Sequence, residues 1–357
     1  MTSGTPAPAE ARPTDPARAA QRLEFARAAM ADPAVTLEPA SEDASFRSYW
    51  RARNAQASRI VMDAPPQHEN LDAWLDVDAR LRAAGLHAPR VFSEDRAQGF
   101  LLIEDLGTRT YLPELDDDSA EALYTDALGA LLTMQTRVAA DGLPPYDEPF
   151  LVTELELMPT WFLQRHLGAD IDCDEWDVIE AAFRLLVNSA LSQPRCFVHR
   201  DYHSRNLLVV EDEKPESRAA GILSPGIIDF QGALHGPIAY DVASLLRDCY
   251  IAWDDARVDA WSEAHRLRLR DAGALDERAD ADTWRRWFDL IGLQRHIKVL
   301  GIFCRLAYRD GKRGYLTDLP RVWHYVRHVA GRYPELVDFV RWLESKIGGR
   351  DLTQPIS

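Results

Sequence analysis

Apolar positions in residues 17–32 recur at helical spacing (Ala20, Leu23, Ala26, Met30) and stop near Pro33. Two strand-like runs follow around a small polar turn: Val35 to Glu38, then Phe46 to Arg53 with Phe46, Tyr49 and Trp50. A third, Arg59 to Met62, ends at Asp63-Ala-Pro-Pro. Residues 67–84 return to helical spacing (Leu71, Trp74, Leu75, Val77, Leu81) and stop at Gly85. Pro89 to Phe92 and Phe100 to Ile103 read as two more strands. Five strands and one helix predict a small mixed lobe over 20–106 built on a five-stranded antiparallel sheet, with Glu104-Asp-Leu-Gly as a hinge.

Beyond the hinge the period lengthens. Residues 119–140 are amphipathic, with Asp118 and Glu121 in capping-box spacing and Gly142 past the end; 175–192 repeat the pattern up to Pro194. Further helical segments are expected at Ala239 to Trp253, 256–271, 282–309, 319–332 and 335–347. A pair of short strands is inserted between 196 and 230. Mixed sheet first and helices later predicts an α+β, two-lobed architecture, with a mainly helical second lobe over 107–350. Residues 1–19, rich in Ala, Pro and Thr, are expected to form a flexible tail.

The chemistry concentrates in 196–230, where CFVHRDYHSRNLLVV is followed by a polar insert and GIIDF. Asp201, Asn206 and Asp229 stand at the edges of the short strands. Their spacing fits H-R-D-x-x-x-x-N followed by a D-F element, the arrangement of kinase-type phosphoryl transfer. A carboxylate near the attacking hydroxyl orients it and takes its proton. Magnesium prefers hard oxygen ligands and keeps several waters, so one carboxylate and one amide suffice beside the phosphates. An alternative takes His199, Asp201 and His203 as part of a hydrolase metal centre, which needs further ligands; His235 is the nearby candidate.

Composition narrows the partners. The net charge of −16 speaks against nucleic acid, and no apolar run is long enough to span a membrane. Four separated cysteines without a C-x-x-C read as reduced thiols and a cytoplasmic setting. No lysine precedes Lys214, so no lysine can lie on the third strand, where kinases pair one with the nucleotide phosphates. Met62 stands near that position. Arg47, Arg51, Arg53 or Arg59 would have to supply the charge, and an arginine fork does not simply replace a lysine point charge.

With these residues in place, the chain resembles the aminoglycoside phosphotransferase and choline kinase group, which have a two-lobed protein-kinase-like fold. The matching stretches are LLIEDLG (Leu101 to Gly107), HRDYHSRN (199–206) and IIDFQGALHGPIAYDVASLLRD (227–248). DASFRSYWR (43–51), VMDAPP (61–66) and ELELMPTWFL (154–163) resemble the bacterial anomeric kinases of N-acetylmuramate and N-acetylglucosamine that serve cell-wall recycling. The resemblance implies ATP and Mg2+ as cofactors, an amino-sugar substrate and a cytoplasmic monomer. It implies Asp201 as base and Asn206 and Asp229 as metal ligands. Glu104 and Leu106 would meet the adenine, and Ser45, Phe46 and Arg47 the phosphates. Tyr202, His203, Arg205, Gln231, Glu154 and Trp161 are the candidates for the sugar. Two alternatives stay open within the fold: a kinase of a cationic amine, which the acidic chain would attract, and a nucleotide-binding pseudokinase, which the missing lysine would suit.

Overall fold

The structure, a computed structural model, describes residues 15–42, 46–210 and 223–355. Helix α1 (Pro16–Ala29) begins where Asp15 can cap it: the carboxylate accepts from Ala17 N at 2.9 Å, and Pro16 occupies the first turn, where a missing N–H is harmless. The helix therefore starts within 1–19, inside the stretch expected to be tail.

The expected five-stranded sheet is present: β1 (Thr36–Glu42), β2 (Ser48–Arg53), β3 (Ser58–Asp63), β5 (Val91–Asp95) and β6 (Phe100–Glu104), all antiparallel in the order β1-β2-β3-β6-β5. Helix α2 (Leu71–Ala83) is capped by Asn70 and buries Leu71, Trp74, Val77 and Leu81. Helix α1 closes the sheet over Ala26, Val35, Ala52, Val61, Phe100 and Leu102. Arg18 and Arg22 of α1 anchor to Asp63 at the end of β3, at 2.6 and 2.8 Å.

The described residues cluster into two compact units. One comprises those of 15–134 and 205–232, the other those of 135–204 and 233–355. The sheet-bearing unit thus runs past residue 106 and takes in α3 (Tyr111–Glu114), most of α4 (Ala120–Arg137) and a second small sheet. In that sheet β9 (Leu223–Ile227) lies between β4 (Leu86–His87) and β8 (Leu207–Leu208). Gly226 on β9 passes so close to Leu106 and Val210 that a side chain there would collide with both.

The other unit is helical apart from β7 (Arg195–Val198) paired with β10 (Leu234–Pro237). Its helices are α5 (Glu148–Leu155), α6 (Cys173–Leu191), α7 (Tyr240–Leu246), α8 (Asp255–Asp271), α9 (Ala281–Tyr308), α10 (Leu319–Ala330) and α11 (Val337–Ile347), with a π-helical stretch at Met158–His166. Helix α9 is buried along most of its length and packs on α6, α7, α10 and the π-helical stretch. Gly301 lets it meet the backbone of Leu157 directly. The helix expected over Ala239 to Trp253 ends at Leu246. There Arg247 turns to pair with Asp289 at 2.6 Å, and Asp248 turns to accept from Ser204 N at 2.9 Å. The helical segment 148–166 and strand β10 were not expected. No helix among the described residues is long and apolar enough to cross a membrane.

Candidate active site

Among the described residues three non-glycine residues have a left-handed backbone, and two of them, Arg200 (φ 79°) and Asp229 (φ 65°), belong to the stretches of expected chemistry. Such conformations cost about 1–3 kcal/mol each and persist where surrounding contacts enforce them. Those contacts can be named in each unit.

In the sheet-bearing unit, Asn206 precedes β8 and Asp229 follows β9, and Ile228 N donates to Asn206 O at 3.1 Å across the hairpin. Asn206 Nδ2 donates to Asp229 Oδ2 at 3.3 Å, and Gln231 Nε2 donates to Oδ1 at 2.7 Å. Phe230 is buried against Trp74 of α2, ring centres 5.0 Å apart, which fixes the turn after Asp229. Arg47 Nη2 lies 3.9 Å from Asp229 Oδ1, and its Nη1 lies 3.5 Å from Glu69 Oε2. Among the described residues no group of three or more His, Cys, Asp or Glu side chains forms a metal cage. One carboxylate and one amide oxygen are instead the hard, incomplete donor set that a magnesium ion completes with phosphate oxygens and water. These residues fit that group.

Of the phosphate-side candidates, Ser45 lies outside the described residues. Phe46 stacks on His68 with ring centres 4.2 Å apart, and its N–H donates to Glu69 Oε1 at 3.0 Å. Glu104 to Gly107, expected as a hinge, lies inside the sheet-bearing unit, where Glu104 N donates to Arg90 O at 2.8 Å and the Glu104 carboxylate accepts from Arg90 N at 3.1 Å. Burial raises that carboxyl, but His87 and the Arg90 N–H outweigh it and hold it below the usual range. Leu106 is buried beside β9. Between them Asp105 ties the segment to β2 and β3: it takes a fork from Arg51 (Nε 2.8 Å, Nη2 3.1 Å) and accepts from Ser58 Oγ and from Gly107 N at 3.1 Å.

In the helical unit, Asp201 follows β7 on a loop held from α7. Asp241 accepts from His199 N at 2.6 Å and Arg200 N at 3.0 Å, and Asp248 accepts from Ser204 N and Oγ. Burial pushes the Asp241 carboxyl up to about 7, against the pull of those two N–H groups. Burial raises the Asp201 carboxyl too, but Lys298, Arg200, His203 and Arg295 outweigh it and bring it below the ordinary carboxylate value. Asp201 therefore stays ionised, as a base must be before its substrate arrives.

The source of that charge is a buried network. Glu154 on α5, 4% exposed, takes Arg200 Nη2 at 2.7 Å and Nε at 3.2 Å, Lys298 Nζ at 3.2 Å, and the Tyr146 hydroxyl. Lys298 Nζ also donates to Tyr240 Oη at 2.7 Å. Burial raises the Glu154 carboxyl, but Lys298 and Arg200 win and hold it low. Glu154, expected beside the sugar, thus has its carboxylate engaged inside the unit. Tyr202 is fully buried, its ring edge against His199 at 5.6 Å, and His203 is buried against Tyr250 at 5.4 Å. Trp161 is half-buried on the π-helical stretch, and Arg205 is exposed.

The structure thus groups Asn206, Asp229, Gln231 and Arg47 in one unit, and Asp201, His203 and Glu154 in the other. Sequence reasoning missed Glu69, Asp105, Lys298 and Arg295. Asp241 holds the loop by accepting two backbone N–H bonds.

Residues 36–293 match the family described as the phosphotransferase enzyme family. The chain belongs to that family. This phosphotransferase is similar to the N-acetylmuramate/N-acetylglucosamine kinase of Pseudomonas aeruginosa, 42% identical over 313 residues covering 88% of this chain and 89% of the relative. It is also similar to the kinase of the same name from Pseudomonas putida, 41% identical over 306 residues, 86% of this chain and 87% of the relative. Among solved structures it resembles a choline/ethanolamine kinase family protein from Mesorhizobium loti, with a TM-score of 0.58 at 14% identity, covering 93% of this chain and 100% of the other. The expected family and the two-lobed α+β, protein-kinase-like fold are both borne out.

Proposed function

We propose that this phosphotransferase moves the γ-phosphoryl group of ATP to the anomeric 1-hydroxyl of N-acetylmuramate, N-acetylglucosamine or both. One observation carries the reading: identity of 42% along 88% of the chain with a relative named for those two sugars. The same proposal places the enzyme in the cytoplasm as a monomer, feeding recycled cell-wall sugars toward UDP-sugar precursors.

Asp201 is the base. Its ionised carboxylate orients the 1-hydroxyl and accepts the proton as the sugar oxygen–phosphorus bond forms and the bond to the β-phosphate oxygen of ADP breaks. The anomeric hydroxyl is the most acidic in the sugar, so a carboxylate held low is adequate. Most of the acceleration then comes from positioning and charge stabilisation. Asn206 and Asp229 would hold magnesium, which when bound neutralises the charge on the transferred phosphoryl group. Gln231 holds the Asp229 carboxylate in orientation. Backbone groups of Glu104 and Leu106 face the adenine, and the segment with Phe46 and Arg47 the phosphates. Tyr202, His203, Arg205 and Trp161 remain the sugar-side candidates.

The test is ATP consumption with magnesium over a panel of N-acetylmuramate, N-acetylglucosamine, N-acetylgalactosamine, kanamycin and choline, with phosphorus NMR of the products. A sugar 1-phosphate from either of the first two supports the reading. Turnover of kanamycin or choline alone sinks the sugar assignment, and ATP binding without turnover of any acceptor sinks the enzyme.

A further inference from the structure

Without a lysine before Lys214, the positive charge for the nucleotide phosphates must come from arginine. Five arginines on α1, β2 and β3 are engaged elsewhere. Arg18 and Arg22 hold Asp63, and Arg22 also lies over the Trp50 ring at 3.6 Å. Arg51 forks onto Asp105. Arg53 is exposed and reaches Glu38 at 3.4 Å. Arg59 covers the Phe92 ring at 4.2 Å and donates to Ser58 O at 2.8 Å. Arg47, in the turn before β2, stands instead beside a candidate metal ligand, its Nη2 3.9 Å from Asp229 Oδ1.

Arg47 is held in place from the segment ahead of α2. Its side chain and that of Glu69 are only 11% and 14% exposed, and Nη1 lies 3.5 Å from Glu69 Oε2 while Nη2 faces Asp229. The other oxygen of Glu69 accepts the N–H of Phe46 at 3.0 Å, so one carboxylate fixes both the backbone and the side chain of this turn. The Phe46–His68 stack adds a second tie between the same two segments. Glu69 stands just ahead of α2, whose N-cap is Asn70, so its position follows that of the helix. An arginine that pairs with a carboxylate on one nitrogen can present the other to a phosphate oxygen, since the two point in fixed, diverging directions.

We propose that Arg47, oriented by Glu69, supplies the charge on the nucleotide phosphates that a third-strand lysine supplies in other kinases. Glu69 is then a positioning residue for Arg47. The charge reaches the phosphates from the turn before β2, and Met62 of β3 is left free to be a buried core residue. This rests on the phosphotransferase reading above, yet concerns only the nucleotide, so it can be tested without an acceptor.

The measurement is calorimetric binding of MgATP and of adenosine to the wild type and to Arg47→Gln, Arg47→Lys and Glu69→Gln, with unfolding midpoints recorded alongside. Arg47→Gln should weaken MgATP binding by at least roughly tenfold, the loss of one charge-assisted contact, while adenosine binding stays within about twofold. Arg47→Lys should restore part of the loss, and Glu69→Gln should give a smaller loss for MgATP and none for adenosine. Equal losses for MgATP and adenosine, or an unchanged MgATP affinity in Arg47→Gln, overturn the proposal. A wild type that binds MgATP but phosphorylates no sugar overturns the sugar reading and leaves the Arg47 result to be judged on its own.

Discussion

Glu154 offers the sharpest division between a sugar contact and an internal scaffold. Its position in ELELMPTWFL suggested the former, but its carboxylate is buried with two cations, Arg200 and Lys298, on Oε1 and with Tyr146 and Gln294 on Oε2. Glu154→Gln keeps the shape and one acceptor oxygen but leaves both cations facing a neutral amide. Breaking a buried pair from one side costs about 3–5 kcal/mol, and the acceptor that remains puts this substitution near the lower end, about 3 kcal/mol. Removing Lys298 as well takes away one of the stranded charges, so Glu154→Gln/Lys298→Met should show a coupling of about 1.5–3 kcal/mol relative to the two single variants. Urea unfolding of the ligand-free protein reads both quantities. The reasoning is refuted if Glu154→Gln unfolds within about 0.5 kcal/mol of the wild type and instead raises the sugar KM tenfold or more.

Three shorter predictions concern the same chain. Asp201→Asn should lower kcat roughly 10²–10⁴-fold with the affinity for MgATP unchanged; a near-wild-type kcat removes Asp201 from the base role. Because Lys298 and Arg200 lower the Asp201 carboxyl in the folded protein, the stabilising share of that charge is present above the ordinary carboxylate value and lost only as pH falls through the depressed one. The acid limb of kcat/KM should accordingly lie below about pH 4, and Lys298→Met should move it upward; an unmoved limb would separate Lys298 from the base. Finally, burial raises the thiols of Cys196, Cys249 and Cys304, whereas Cys173 is exposed. A chromogenic disulfide should titrate one thiol rapidly in the native protein and four after unfolding, and a second fast thiol would contradict the packing around α9.

What could be read in advance, and what could not, follows the range over which each interaction acts. The places of Asp201, Asn206 and Asp229 at strand edges were legible because the apolar runs of β7, β8 and β9 mark those edges locally. The sheet was legible because each strand displays its own period. The groups that set the chemistry of those residues join distant segments: Arg47 and Glu69 are 22 residues apart, Arg200 and Asp241 41, Arg51 and Asp105 54, Glu154 and Lys298 144. Periodicity reports which face of an element is buried and carries nothing about which charge waits on the other side. The same limit explains the overrun of α7, whose apolar spacing continues past Leu246 while Arg247 and Asp248 are drawn off by partners on other segments.

Net charge misleads for a related reason. A value of −16 invites a cationic substrate, and at distances beyond a Debye length of about 8–10 Å that inference has no access to individual groups. Around Asp201 the charges alternate: Arg200, Lys298 and Arg295 stand among Glu154, Asp241 and Asp248, close enough that each acts on Asp201 singly. An acidic chain can therefore gather cations about one carboxylate, a detail that the net charge averages away. A hydroxyl placed at Asp201 would meet a carboxylate that Lys298 and Arg200 hold ionised, so those two groups bear on its proton and the value of −16 does not.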